Sequence, residues 1–284
     1  MQTECQESHD PYVQYEETIQ EILYRTLNKP DFPLTSKLFA LVCFAYEMEP
    51  FFYPQTKAFA LEKMASIVDK LSNHNYERLW MEEFQDHVFD LELPMSILQS
   101  FLLGILKESD EDMQQLLVSS WSLYSRDFEN DIFLSVSYLK EKIIVQCSEM
   151  AKTYAWKRDR LLDVFSGEIE KYLENYCTHF VFAQSYREKG SLYIYVQELL
   201  IQVMLLKFFF TSHSGVMRVV EEAENDNQVD IEKLVQSLDN EVVTVLKTFS
   251  NAISKNQSLI SRIRHDLQEQ NMQSLAHLAL FICF

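Results

Sequence analysis

Leu192 to Phe210 reads LYIYVQELLIQVMLLKFFF, a run long enough to cross a bilayer as a single helix. Four polar side chains interrupt it: Gln197, Glu198, Gln202 and Lys207. A lone span would bury each of these at a cost of kilocalories. A helix threaded through the centre of a soluble bundle explains the run better, since such a helix is apolar on every face. The expectation is a core helix and no membrane span.

Working outward, REKGS (Arg187 to Ser191) is the clearest turn in the second half, and the core helix should end near Ser212. The chain has only four glycines, and no proline follows Pro94. A tract of about 190 residues without proline reads as helices joined by short polar turns. The fold class expected is all-α, a multi-helix bundle of about ten or more helices with no sheet. The glycine shortage also removes the phosphate-cradling loops of most nucleotide sites.

Residues 1–11 are polar and read as a frayed terminus, with one helical domain over 12–284 and a subdivision near 125–165. Helical spacing runs from Tyr12 to about Leu27, and NKPDFP (Asn28 to Pro33) ends that helix. Further helices are expected over Leu34 to Met48, Gln55 to Leu71, Tyr76 to Leu91, Pro94 to Leu106 and Asp110 to Tyr124. SDED (Ser109 to Asp112) supplies an N-cap and an acidic first turn. A long tract from Asp127 to about Leu162 is read with a break near Trp156. Another helix starts at Ser166, a candidate cap, and runs to about Gln184. EEAENDNQVD (Glu221 to Asp230) reads as a solvated loop, and two or three helices complete the chain.

The chain carries a formal charge of −18, and 47% of its residues are apolar, including 20 Phe and 14 Tyr. This suffices for a large core. It repels nucleic acid and anionic membranes, and suits either a solvated surface or docking of a basic partner. The short basic runs KRDR (Lys157 to Arg160) and SRIRH (Ser261 to His265) do not amount to a nucleic-acid face. The five cysteines are odd in number, far apart and never C-x-x-C, which signals no metal site and a reduced, cytoplasmic chain.

Catalytic patterns are thin. Glu83 and His87 sit one turn apart, but the pair lacks the further ligands of a metal site. Asp127, Glu129 and Asp131 scatter around a helix rather than lining one face. Cys177 and His179 point about 200° apart, so they form no nucleophile pair. No serine elbow, phosphate loop or dinucleotide fingerprint occurs.

Two segments together resemble a family. YEETIQEILYRTLNKPDFPLTSKLFALVCFA (Tyr15 to Ala45) is similar to the point in flagellin lysine-N-methylases where one helix meets a short break and P-L-x-x-R-L-x-x-L opens the next. The counterparts here are Ile22, Leu23 and Leu27, then Pro33, Leu34, Lys37, Leu38 and Leu41. The second segment, Leu173 to Leu267, begins LENYCTHFVF and continues through Leu205, Leu206 and Lys207, an acidic spacer, and LVQSLDNEVVTVLKTFSNAISKNQSLISRI. The resemblance is to the carboxyl-terminal helical part of that family.

It implies a protein substrate or partner, flagellin or another lysine-rich protein, and a link to lysine methylation. The family's cysteine-rich amino-terminal part, with its iron–sulfur centre and S-adenosylmethionine, has no counterpart in this sequence. Those cofactors are therefore expected only if a cysteine-rich partner or domain supplies them. The family's carboxyl-terminal Glu-His element is replaced by Ser254, Lys255 and Asn256. Glu174, Asn175 and Tyr176 are the most specific positions carried over, and form the candidate partner or substrate surface. The weightier reading of the three is a polar cluster that packs helices. Whether this chain is itself an enzyme stays open at this point. Other readings are a non-catalytic adaptor unrelated to methylation, or a helical enzyme with a lipophilic substrate.

Overall fold

The computed structural model describes residues 11–51, 57–83, 91, 94–98, 114, 116, 119–120, 147–225, 230–255, 257–269 and 274–283. Among these residues every regular element is a helix, and none is a strand. The fold is all-α, as the scarcity of glycine and proline implies. The SDED cap, His87 and Asp127 to Asp131 lie outside the described residues.

Compactness divides the chain into two units. One comprises residues 1–87 and 174–196, the other residues 88–173 and 197–284.

The first unit is built around α2 (Leu34–Met48). This helix starts at Pro33, whose extended backbone (φ −66°, ψ 154°) cannot continue a helix from before, and whose carbonyl accepts the first helical bond from Lys37 N–H at 3.2 Å. Every α2 side chain from Leu38 to Ala45 is buried, the pattern of a helix packed all round. Each such leucine or phenylalanine contributes roughly 1.5–3 kcal/mol by leaving water.

Around it lie α1 (Pro11–Leu27), α3 (Lys57–Ser72) and α4 (Asn75–Glu83). Each offers a narrower stripe: Ile19, Ile22, Leu23 and Leu27 on α1; Met64, Ile67 and Leu71 on α3; Tyr76 and Trp80 on α4. Trp80 meets the Phe39 ring at 5.0 Å between centroids.

The long helix α5 (Cys147–Ala183) contributes its last turns to this unit. Carbonyls at its C-terminal end lack further helical N–H donors, and side chains reach them. Gln20 Nε2 donates to Val181 O (3.1 Å), and the Tyr195 hydroxyl lies 3.4 Å from Phe180 O and 3.3 Å from Gln184 O. A short 3-10 turn, Tyr186–Lys189, then leads to Gly190, whose φ of +77° is the left-handed geometry that glycine adopts without strain.

The second unit takes the remainder of α5 and of α6 (Leu192–Ser212), with α7 (Ser214–Asn225), α8 (Ile231–Lys255), α9 (Gln257–Glu269) and α10 (Leu275–Cys283). Among the described residues, α6 is the one helix long and apolar enough to cross a membrane, and 83% of that apolar window is buried inside the protein. Two of its charged residues find partners there, while the Gln197 amide nitrogen is buried without one among the described residues. Glu198, 3% exposed, accepts from Arg264 Nη1 of α9 at 2.9 Å, and Lys207 Nζ donates to Ile282 O in the last turn of α10 at 2.6 Å. The core-helix expectation holds.

Along α8 the spacing Leu234, Leu238, Val242, Val245, Phe249, Ala252 buries one stripe, with Phe249 6.1 Å from the Phe209 ring.

Two boundaries differ from the expectation. The tract does not break at Trp156: the backbone continues helical there, and the exposed indole lies under the Arg160 guanidinium (4.5 Å), one helical turn on. The one non-helical residue is Phe165 (φ −130°, ψ 29°), directly before Ser166, where the second helix was expected to start. Glu221 to Asn225 are also helical rather than loop. Arg160 reaches across to Glu224 through both Nε (2.9 Å) and Nη2, which ties down that acidic end.

Candidate functional site

The two segments of the family resemblance meet in the first unit. Lys37, one turn into α2, places its ammonium against Glu174 Oε1 near the end of α5. The lysine side chain is 4% exposed and the glutamate 32%. A lone ammonium at that depth would cost several kcal/mol, so the pair fixes α2 and α5 together.

Glu174, Asn175 and Tyr176 are consecutive, and helical geometry rotates them by about 100° each. The structure separates them accordingly. Glu174 turns to Lys37, on the same stripe as buried Cys177. Asn175 is exposed. Tyr176 is half-buried, and desolvation raises its hydroxyl pKa above the usual phenol value. Cys177 is buried while His179 is exposed, so the two do face apart.

The far end of α2 carries a second charged group that the sequence did not reveal. Glu47 accepts from Lys70 Nζ of α3 with both oxygens (2.8 Å each) and from the Tyr76 hydroxyl of α4 at 2.6 Å; Lys63 lies 3.6 Å away. Burial alone would raise the Glu47 pKa, but these hydrogen bonds and charges outweigh it and hold the carboxyl below its usual range. Glu77, fully buried, pairs with Lys29 Nζ at 2.5 Å, and that lysine also donates to Leu71 O. Glu49, just past α2, accepts from the Ser191 hydroxyl (2.8 Å) and the Tyr193 N–H (3.4 Å). Spacing announces no such partners, because they lie 16 to 144 residues apart.

In the second unit, Glu241 of α8 rests on the first turn of α7. A Cβ at Gly215 would fall on its carboxylate. The same carboxylate lies 3.2 Å from Arg218 Nη2 and 3.6 Å from His213 Nδ1. A carboxylate here also suits the positive end of the helix. Burial lowers the His213 pKa, and Glu241 opposes that only in part.

KRDR presents little free positive charge: Lys157 is buried, Arg160 pairs with Glu224, and Arg158 lies 3.1 Å from Asp159. Desolvation lowers the Lys157 pKa to about 8.

The described cysteines do not fit an iron–sulfur centre, which thiolates would have to hold. Burial pushes Cys43 up to about 12, aided by Glu47 and Glu77, and Cys283 up to about 11. Among the described residues no three Cys, His, Asp or Glu side chains gather as a metal site.

These observations define an all-α protein whose ionisable side chains mainly lock helices together. The family model described as the FliB lysine N-methylase C-terminal domain matches residues 20–281. The chain therefore belongs to that family, and the carboxyl-terminal resemblance read from Tyr15–Ala45 and Leu173–Leu267 is correct. No curated protein and no solved structure gives a significant match.

Proposed function

We propose that this chain is the protein-binding helical module of a lysine N-methylase system, working in the cytoplasm. It holds flagellin or another lysine-rich protein, and Asn175 and Tyr176 belong to the contact surface. Catalysis requires S-adenosylmethionine and an iron–sulfur centre supplied by a cysteine-rich domain or partner.

The observation that carries this reading is the Lys37–Glu174 pair. It joins the two segments that most resemble the family and leaves Asn175 in solvent beside them. The net charge of −18 suits a basic partner. The raised pKa values of the buried Cys43 thiol and the partly exposed Cys283 thiol favour chemistry held elsewhere.

The test is retention of purified flagellin on the immobilised chain, comparing wild type with Asn175→Ala. Retention by wild type, weakened in the variant at unchanged melting temperature, is the expected result. No retention by wild type refutes the proposal. A parallel thermal melt with S-adenosylmethionine should show no stabilisation, and a clear upward shift would place cofactor binding in this chain.

A further inference from the structure

The end of α2 and the start of α6 build a small aromatic and acidic corner within the first unit. Glu49 keeps helical geometry after Met48, with its N–H bonded to Ala45 O. Tyr46 and Glu49 are thus three apart on one helical face. Tyr46 is 54% exposed, although its ring meets that of Tyr193 at 6.0 Å between centroids and an angle of 65°. The rings meet edge to face rather than in a stack.

Glu49 reaches the backbone of Tyr193. Its Oε2 takes the Tyr193 N–H and the Ser191 hydroxyl, which fixes the carboxylate beside the Tyr193 backbone. Both donors are neutral, so they orient the carboxylate without cancelling its charge. Among the described residues no lysine or arginine pairs with it, in contrast to Glu47, which has Lys70 and Lys63. The result is a solvent-facing tyrosine, a second ring at a steep angle, and a fixed negative charge.

An alkylammonium group satisfies all three elements. Ring faces attract a cation through their quadrupole, and the carboxylate supplies the charge complement. A neutral chain of the same length would gain only apolar contact. We infer that Tyr46, Tyr193 and Glu49 form a binding site for the ammonium end of a lysine side chain, methylated or not, on a partner protein. The site lies apart from Glu174, Asn175 and Tyr176. It rests on the proposed function only in taking a protein as the carrier of the lysine.

The test uses the full chain with 13C-labelled tyrosines and four capped peptides that differ only at the central residue: lysine, trimethyllysine, acetyllysine and norleucine. Tyr46→Phe and Tyr193→Phe assign the two ring signals. The expected result is saturable shifts of both rings with lysine and trimethyllysine, and none with acetyllysine or norleucine. Tyr46→Ala should weaken binding by about 3- to 10-fold, as loss of one cation–π face implies. Glu49→Gln, whose side-chain oxygen still accepts both hydrogen bonds, should weaken it severalfold with the fold intact. Equal shifts from the norleucine peptide, or undiminished binding in Tyr46→Ala, overturn the inference. If flagellin is retained but none of the peptides binds, this site is refuted while the proposed function stands. If the charged peptides bind but flagellin does not, the site stands and the proposed function falls.

Discussion

Lys37 carries its ammonium to a depth where 4% of the side chain meets solvent, and Glu174 makes that tolerable. Removing the acid strands a buried cation, so Glu174→Ala should lower stability by about 2–4 kcal/mol in chemical denaturation. Its exposed neighbour has no such role, and Asn175→Ala should stay within about 0.5 kcal/mol of wild type. Equal losses in both variants would contradict the division of labour between them. Gly215 offers a different test. The atoms that a methyl group would strike belong to the flexible end of Glu241. Gly215→Ala should therefore push the carboxylate aside, with better helix propensity offsetting the lost ion pair to within about 1 kcal/mol. Its signature lies at His213. Burial already lowers that pKa, and Glu241 is the group that pulls it back up. An NMR titration should find the His213 pKa lower still in Gly215→Ala. The folded state holds this proton less readily than the unfolded chain. The residue's stabilising contribution is therefore complete above the ordinary value of 6.5 and is lost as pH falls. An unchanged or raised His213 pKa in the variant would show that Glu241 has not moved.

At the level of elements, Glu47 ties the end of α2 to α3 and α4. Its folded pKa is depressed, so it adds stability above the unfolded carboxyl value near 4.5, lost as pH falls through the folded value. Glu47→Gln should flatten the acid side of the stability profile, measured as unfolding midpoints between about pH 3 and pH 5. An unaltered slope would mean that the group contributes nothing there. Gly190→Ala should cost about 1–2 kcal/mol, because a side chain at φ +77° is strained even with open space around it. Much of this architecture was legible. Pro33 and the run to Met48 marked α2 without error, and the polar-interrupted run from Leu192 marked α6 as a core helix. Ser166 marked the kink at Phe165. What escaped depends on distant partners. A break was expected at Trp156 because a ring stacked beneath Arg160 leaves no trace in composition, and Glu221 to Asn225 looked like loop because their partner Arg160 lies 64 residues from Glu224. The candidate site was legible to the same degree. Glu174 was found from its motif, while Lys37, its ion-pair partner, was seen only as a motif position. Tyr193 and Glu49, 144 residues apart, could be joined only by the fold.

The whole molecule combines an all-helical fold, a charge of −18 and membership of the lysine N-methylase carboxyl-terminal family. Its described acids mainly lock helices together, and recognition of a basic protein is the role proposed for this chain. Recognition of a basic protein by an acidic surface has an ionic-strength signature, since exposed charges are screened within about 10 Å at 0.1 M salt. The most direct measurement is a calorimetric titration of the intact chain with flagellin at roughly 50 and roughly 300 mM salt. The account predicts saturable binding that weakens about fivefold or more at the higher salt. No binding at either salt, or an affinity indifferent to salt, would contradict it.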